Sequence, residues 1–185
     1  MVITETGPGY FKVKDVIPGL EDMNPHAWFK GPPALFQLPR YSRNLAYSYS
    51  PKLYQFTIKD PEVRKLADQV VLDCEELGLT KDLPEYKISY CLHEINGEDA
   101  APFIPCHTDT DHLVGFTIFL NRSWHRTHGG WNMMIDTNGD PVATIPEFNT
   151  GIFIFTPCEH FTVPLFNPVR RRTMQIFFDE RKERP

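Results

Sequence analysis

The stretch HTDTDHLVGFTIFLN, His107–Asn121, crowds two histidines and two aspartates into six positions and then turns into an apolar run. The run is rich in β-branched and aromatic residues and reads as a strand. Metal-binding side chains therefore stand at the mouth of a strand. On an extended chain, residues two apart project to the same side, so His107 and Asp109 can address one cation together. Asp109 with His112 is a competing pair, less suited because three residues separate them. Asp111 and His112 are read as rim residues, touching substrate or serving only the loop.

Strand character continues on both sides of this stretch. Upstream, YKISYCLHEI (86–95) is β-rich and stops at the turn pair Asn96-Gly97. Downstream come GGWNMMID (129–136), the hairpin-like DTNGDP, the short ATIPEF (143–148), GIFIFTP (151–157) and RTMQIFFDE (172–180). GIFIFTP is apolar on both faces, as a buried strand should be. One helix precedes the strands, DPEVRKLADQVVLDCEELGL (60–79). Asp60 is placed to cap it, Pro61 suits the first helical position, and Gly78 marks its end. Val63, Leu66, Val70, Cys74 and Leu77 recur at helical spacing. A second short helix is predicted near Thr80–Leu83. The first fifty residues, rich in Pro, Gly and aromatics, are expected to drape over the core as short strands and loops. The expected fold is mainly β with supporting helices: a jelly roll, or double-stranded β-helix, backed by one long helix.

Composition narrows the function. A chain of 185 residues fits one domain, expected over 1–185, and a 41% hydrophobic content is enough for a core. The net charge of -5 argues against binding nucleic acid by bulk electrostatics, so no nucleic-acid partner is expected. MVITETGPGYFKV has neither the basic start nor the apolar centre of a signal peptide, and no run approaches a membrane span. The four cysteines lack a Cys-x-x-Cys pair, which reads as reduced thiols in a cytoplasmic setting rather than zinc ligands.

A third ligand is expected from His160, which closes the strand-like GIFIFTPCEH. Two imidazoles and one carboxylate suit non-haem Fe(II) with open positions for O2 and a co-substrate. A dicarboxylate co-substrate needs a cation for its far end, and VRRRTMQIFF (169–178) offers three arginines. Met174, Ile176 and Phe178 fit a face packed on the helix. The alternate face then carries Arg171, Thr173, Gln175 and Phe177 toward a pocket. A one-residue slip would select Arg170 or Arg172 instead.

The segment from about Tyr86 to Asp179 resembles the 2-oxoglutarate- and Fe(II)-dependent oxygenases, in their prolyl-4-hydroxylase-like branch. The matching text is HTD (107–109), TIFLNRSW (117–124), HGGW (128–131), GIFIFTPCEHFTVPLF (151–166) and RRRTMQIFFDE (170–180). The resemblance implies Fe(II) held by His107, Asp109 and His160. It also implies 2-oxoglutarate chelating the iron and paired with an arginine of the last strand, with O2 as the other co-substrate. The implied activity is hydroxylation of an aliphatic carbon of an amino acid, a peptide residue or a small molecule, with succinate and CO2 as co-products. Retention of Asp109 favours hydroxylation over halogenation. Several relatives carry a tyrosine where this chain has Phe119, whose ring donates no hydrogen bond. Thr117, Tyr90 and His93 are the residues expected to stand in for it. The competing reading is a cupin-like metal-binding jelly roll, in which the inward arginine would have no task. A plain β-sandwich with an accidental His-x-Asp is the third.

Overall fold

The computed structural model describes residues 1–37 and 51–181. Residues 38–50, which continue the proline-rich N-terminal segment, lie outside them. The chain folds as two antiparallel sheets. The larger has eight strands: β1 (Val2–Gly7), β2 (Tyr10–Lys14), β3 (Ala34–Gln37), β4 (Lys52–Phe56), β5 (Tyr86–Asn96), β6 (Val114–Phe119), β9 (Thr150–Phe155) and β11 (Arg170–Glu180). Their spatial order is β1-β2-β9-β6-β11-β5-β4-β3. The smaller sheet has the order β10-β7-β8, from β7 (Asn132–Ile135), β8 (Pro141–Thr144) and β10 (His160–Thr162). This is the expected jelly roll.

Helix α1 (Pro61–Glu76) covers the outer face of the larger sheet, as its sequence predicts. Asp60 accepts a hydrogen bond from the Glu62 amide at 3.1 Å and caps the N-terminus. At the other end Gly78 adopts φ +70°, and the Gly78 and Leu79 amides donate back to the Glu75 and Cys74 carbonyls. That pair of bonds is the Schellman stop, with buried Leu79 closing over Cys74. The helix buries Val63, Ala67, Val70, Val71 and Cys74 against Val114, Phe116, Ile118, Met174, Ile176 and Phe178 of the sheet. Each valine, isoleucine, methionine or phenylalanine among them contributes roughly 1.5–3 kcal/mol by leaving water.

One expectation fails. Thr80–Leu83 is a turn, closed by the Leu83 amide donating to the Thr80 carbonyl, because four residues cannot offset the cost of helix nucleation. The described part of the N-terminal segment forms the expected short strands. β1 and β2 form a hairpin, and β2 pairs along its whole length with β9 inside the larger sheet.

Strand β11 is central. It pairs with β5 from Arg170↔Asn96 to Glu180↔Tyr86 and with β6 from Thr173↔Phe119 to Phe178↔Val114. Where β6 ends, the Asn121 carboxamide continues the ladder. Its Nδ2 donates to the Arg170 carbonyl and its Oδ1 accepts from the Arg172 amide, both at 2.7 Å. Together with the β5 ladder, this clamp keeps Arg170–Arg172 in regular alternation.

Candidate metal centre and its cavity

The faces of β11 follow the predicted alternation. Met174, Ile176 and Phe178 join the helix-side core, while Arg171, Gln175 and Phe177 line a cavity of about 560 Å³ between the two sheets. Thr173 is fully buried on the same strand face. Gly115, Thr117, His93, Thr162, His107, Asp109 and His160 also border the cavity.

His107 and His160 face each other across a two-residue bridge. The His107 amide donates to the His160 carbonyl at 3.0 Å, and the His160 amide returns the bond at 2.9 Å. Each imidazole is oriented by a carbonyl two residues upstream. Nδ1–H of His107 donates to Pro105 O at 2.8 Å, and Nδ1–H of His160 donates to Cys158 O at 3.2 Å. Those bonds leave both Nε2 lone pairs turned toward Asp109. His107 Nε2 lies 3.6 Å from Asp109 Oδ1, and His160 Nε2 lies 3.7 Å from Oδ2. All three donor atoms fall within 4.8 Å of one another. Neutral imidazoles with anchored Nδ1–H groups and a shared carboxylate are what a divalent cation needs. Burial lowers the His160 pKa, favouring the neutral ligand form, while the Asp109 charge opposes that shift. Gly115 allows the approach of the carboxylate, since a Cβ there would stand 3.3 Å from Asp109 Oδ2.

Arg171 lies at the far side of the cavity. Its Nε–H donates to Gly130 O at 2.8 Å, and its guanidinium carbon sits 5.2 Å from the centre of the Phe119 ring. Arg171 is 2% exposed, and among the described residues no carboxylate pairs with it. Burial pushes its pKa down to about 10. Arg170 and Arg172 point to the opposite face and meet Glu94 instead.

The remaining sequence candidates divide. Thr117 donates to Gln175 Oε1 at 2.8 Å, and Gln175 Nε2 donates to Thr173 Oγ1 at 2.8 Å. Thr117 and Thr173 are thereby joined beside Arg171. Tyr90 borders the cavity, but its hydroxyl donates to Asp68 of α1 at 2.6 Å and its ring carries the Arg64 guanidinium. The cause is parity: Tyr90 pairs with Ile176, a helix-face residue. The expectation that its hydroxyl serves the site is corrected. His93 does face the cavity; its Nε2–H donates to Gln55 Oε1 at 3.3 Å. Burial, reinforced by the Arg171 charge, drives its pKa down to about 3, so it is a neutral wall residue.

His112 does not join the triad. Its Nδ1–H donates to the buried Asp179 carboxylate, and its ring stacks on Phe177 at 4.2 Å and 22°. Asn132 is a wall residue the sequence did not single out. It is 5% exposed, and its Oδ1 has no hydrogen-bond partner among the described residues. All four cysteines are free thiols, and no helix among the described residues is long and apolar enough to cross a membrane.

The backbone is closely similar to known structures. A Pseudomonas putida prolyl-4-hydroxylase superposes over 94% of each chain, with a TM-score of 0.62 and 14% identity. A Burkholderia pseudomallei oxidoreductase of the 2OG-Fe(II) oxygenase family matches with TM-score 0.68 and 14% identity, over 92% of this chain and 85% of that one. The fold is that of the 2OG-Fe(II) oxygenases. A Trichoplax adhaerens prolyl hydroxylase, solved with a hypoxia inducible factor peptide fragment, has the same oxygenase fold at TM-score 0.60 and 14% identity, covering 93% and 84% of the chains. No family model and no curated protein matches the sequence.

Proposed function

We propose that this chain is a 2-oxoglutarate-dependent Fe(II) dioxygenase, organised as one domain over 1–185 with its catalytic strands at about 86–179. It hydroxylates an aliphatic carbon of an amino acid, a peptide residue or a small molecule. The observation that carries this reading is the content of one cavity. It holds a two-imidazole, one-carboxylate donor set and, apart from it, a buried guanidinium with no carboxylate partner among the described residues. A cupin-like binder would need the first feature and have no use for the second.

In this reading His107 and His160, through Nε2, and Asp109, through its carboxylate, hold the iron. Bound Fe(II), with 2-oxoglutarate and O2, supplies the oxidant that places one oxygen atom in a C–H bond and the other in succinate, with CO2 released. Arg171 grips the distal carboxylate of 2-oxoglutarate, where a charge-assisted fork is strongest because water is excluded. The Thr117–Gln175–Thr173 chain, of which Thr117 and Gln175 line the cavity and Thr173 is fully buried, backs the wall beside Arg171 against which that carboxylate rests. Phe177 and the His112–Asp179 pair form the wall over which substrate enters.

The test is anaerobic titration of the protein with Fe(II) and 2-oxoglutarate, following the weak visible charge-transfer band of the chelate. The band should appear with wild type and vanish in His107→Ala and Asp109→Ala. Aerobic incubation should then release succinate. A wild-type protein that binds Fe(II) but gives neither band nor succinate would refute the proposal.

A further inference from the structure

On the face of β11 opposite the metal cavity lies a second concavity of about 770 Å³. Arg122, Arg170, Arg172, His26, His128 and Ser123 contribute to its wall, and no aspartate or glutamate among the described residues lines it. In a chain of net charge -5 this is a local reversal of sign.

Three guanidiniums gather here, and two of them share a single carboxylate. Glu94, buried beneath them, accepts from Arg172 Nε at 2.7 Å and stands 3.6 Å from Arg170 Nη1. Arg122 has no carboxylate partner among the described residues. Its Nη2 donates to the carbonyls of Leu20 and Glu21, in the one-turn 3-10 segment Leu20–Asp22. Two of the three cations are held in place before any ligand arrives. Arg122 lies 5.1 Å over the Phe148 ring and Arg172 5.2 Å over Phe29. Arg172 also donates to His26 Nδ1. The Arg170 side chain, 52% exposed, has no hydrogen-bond partner among the described residues. The excess positive potential is felt locally. Burial, and next the Arg172 and Arg122 charges, lower the His26 pKa, outweighing the opposing pull of Glu94.

A concave surface of one sign focuses its field, and cations fixed in advance lose little freedom on binding. The volume is that of a small-molecule site. We propose that this cleft binds a small anion bearing two or more phosphate or carboxylate groups, gripped by Arg122, Arg170 and Arg172. The site is separate from the metal cavity, and its existence does not depend on the oxygenase reading.

The experiment is calorimetric titration of the full chain, without iron and at constant ionic strength, with pyrophosphate, citrate and a single-stranded oligonucleotide. Pyrophosphate or citrate should bind with one-to-one stoichiometry, and the tighter of the two identifies the oxyanion class. Arg170→Glu and Ser123→Asp alter exposed positions, so both variants should melt like wild type while binding at least tenfold more weakly. Arg171→Met should leave this binding unchanged. Loss in Arg171→Met alone would place the anion in the inner cavity and overturn the proposal. So would heat no larger than that of matched sodium chloride. An oligonucleotide that binds through Arg170 more tightly than either small anion would replace a small-ligand site with a nucleic-acid surface.

Discussion

Replacing Arg171 with methionine should move two measurements in opposite directions. In the iron-free protein the guanidinium is buried with no carboxylate partner among the described residues, and its pKa falls from 12.5 to about 10. That descent corresponds to about 3 kcal/mol of desolvation carried by the folded state. Methionine fills similar volume and removes this cost. Against it stand the Nε–H bond to Gly130 O and the contact with Phe119, together about 2 kcal/mol. Arg171→Met should therefore be unchanged or up to about 1 kcal/mol more stable in urea unfolding. With co-substrate the sign reverses. Loss of the partner for a buried carboxylate costs about 3 kcal/mol, so the 2-oxoglutarate Kd should rise about 100-fold while Fe(II) binding persists. An iron-free variant less stable by more than about 2 kcal/mol would show that the guanidinium is there to hold the fold. An unaltered Kd would sever it from the co-substrate.

Other substitutions probe the supports of the site. His93 stays neutral in the folded state down to about pH 3, whereas the unfolded imidazole protonates near 6.5. Its folded pKa is lowered, so stability is lost as pH falls below 6.5, by about 2 kcal/mol at pH 5. His93→Gln should flatten the pH 7-to-5 unfolding curve by that amount, and an unchanged slope would contradict the assignment. Gly115→Ala brings a methyl group 3.3 Å from Asp109 Oδ2 and should weaken Fe(II) binding several-fold without a matching loss in melting temperature; equal iron affinity would show that the carboxylate has room to move. Asp60→Ala removes the helix cap and should cost about 1 kcal/mol in denaturant unfolding, with metal binding intact.

The helix was legible because its cap, its apolar stripe and its terminal glycine agree, each signalling independently of tertiary contacts. The inward face of β11 was legible because a two-residue period survives any placement of the strand, yet the choice of Arg171 over its neighbours needs that period to run unbroken through 170–172, which the β5 ladder and the Asn121 clamp secure. Tyr90 shows the limit. Its side depends on the register of β5 against β11, and nothing local in YKISYCLHEI fixes that register. His112 and Asp179 are 67 residues apart, and His26 and Arg172 are 146 apart. Such pairs exist only after the sheets close. The hydrogen bonds from the two imidazoles to Pro105 and Cys158 are also invisible in sequence, because they involve carbonyls that every residue possesses.

The consecutive arginines of β11 serve two compartments through one ribbon. Because neighbouring side chains project oppositely, a substitution at 171 and a substitution at 170 or 172 are felt on different sides of the sheet. Each compartment can thus be retuned alone by point changes. Inserting one residue between Arg172 and Thr173, with Met174, Ile176 and Phe178 keeping their places in the core, would instead exchange the two sets of cations at a stroke. The N-terminal end of this strand should accordingly accept new side chains far more readily than a change in length.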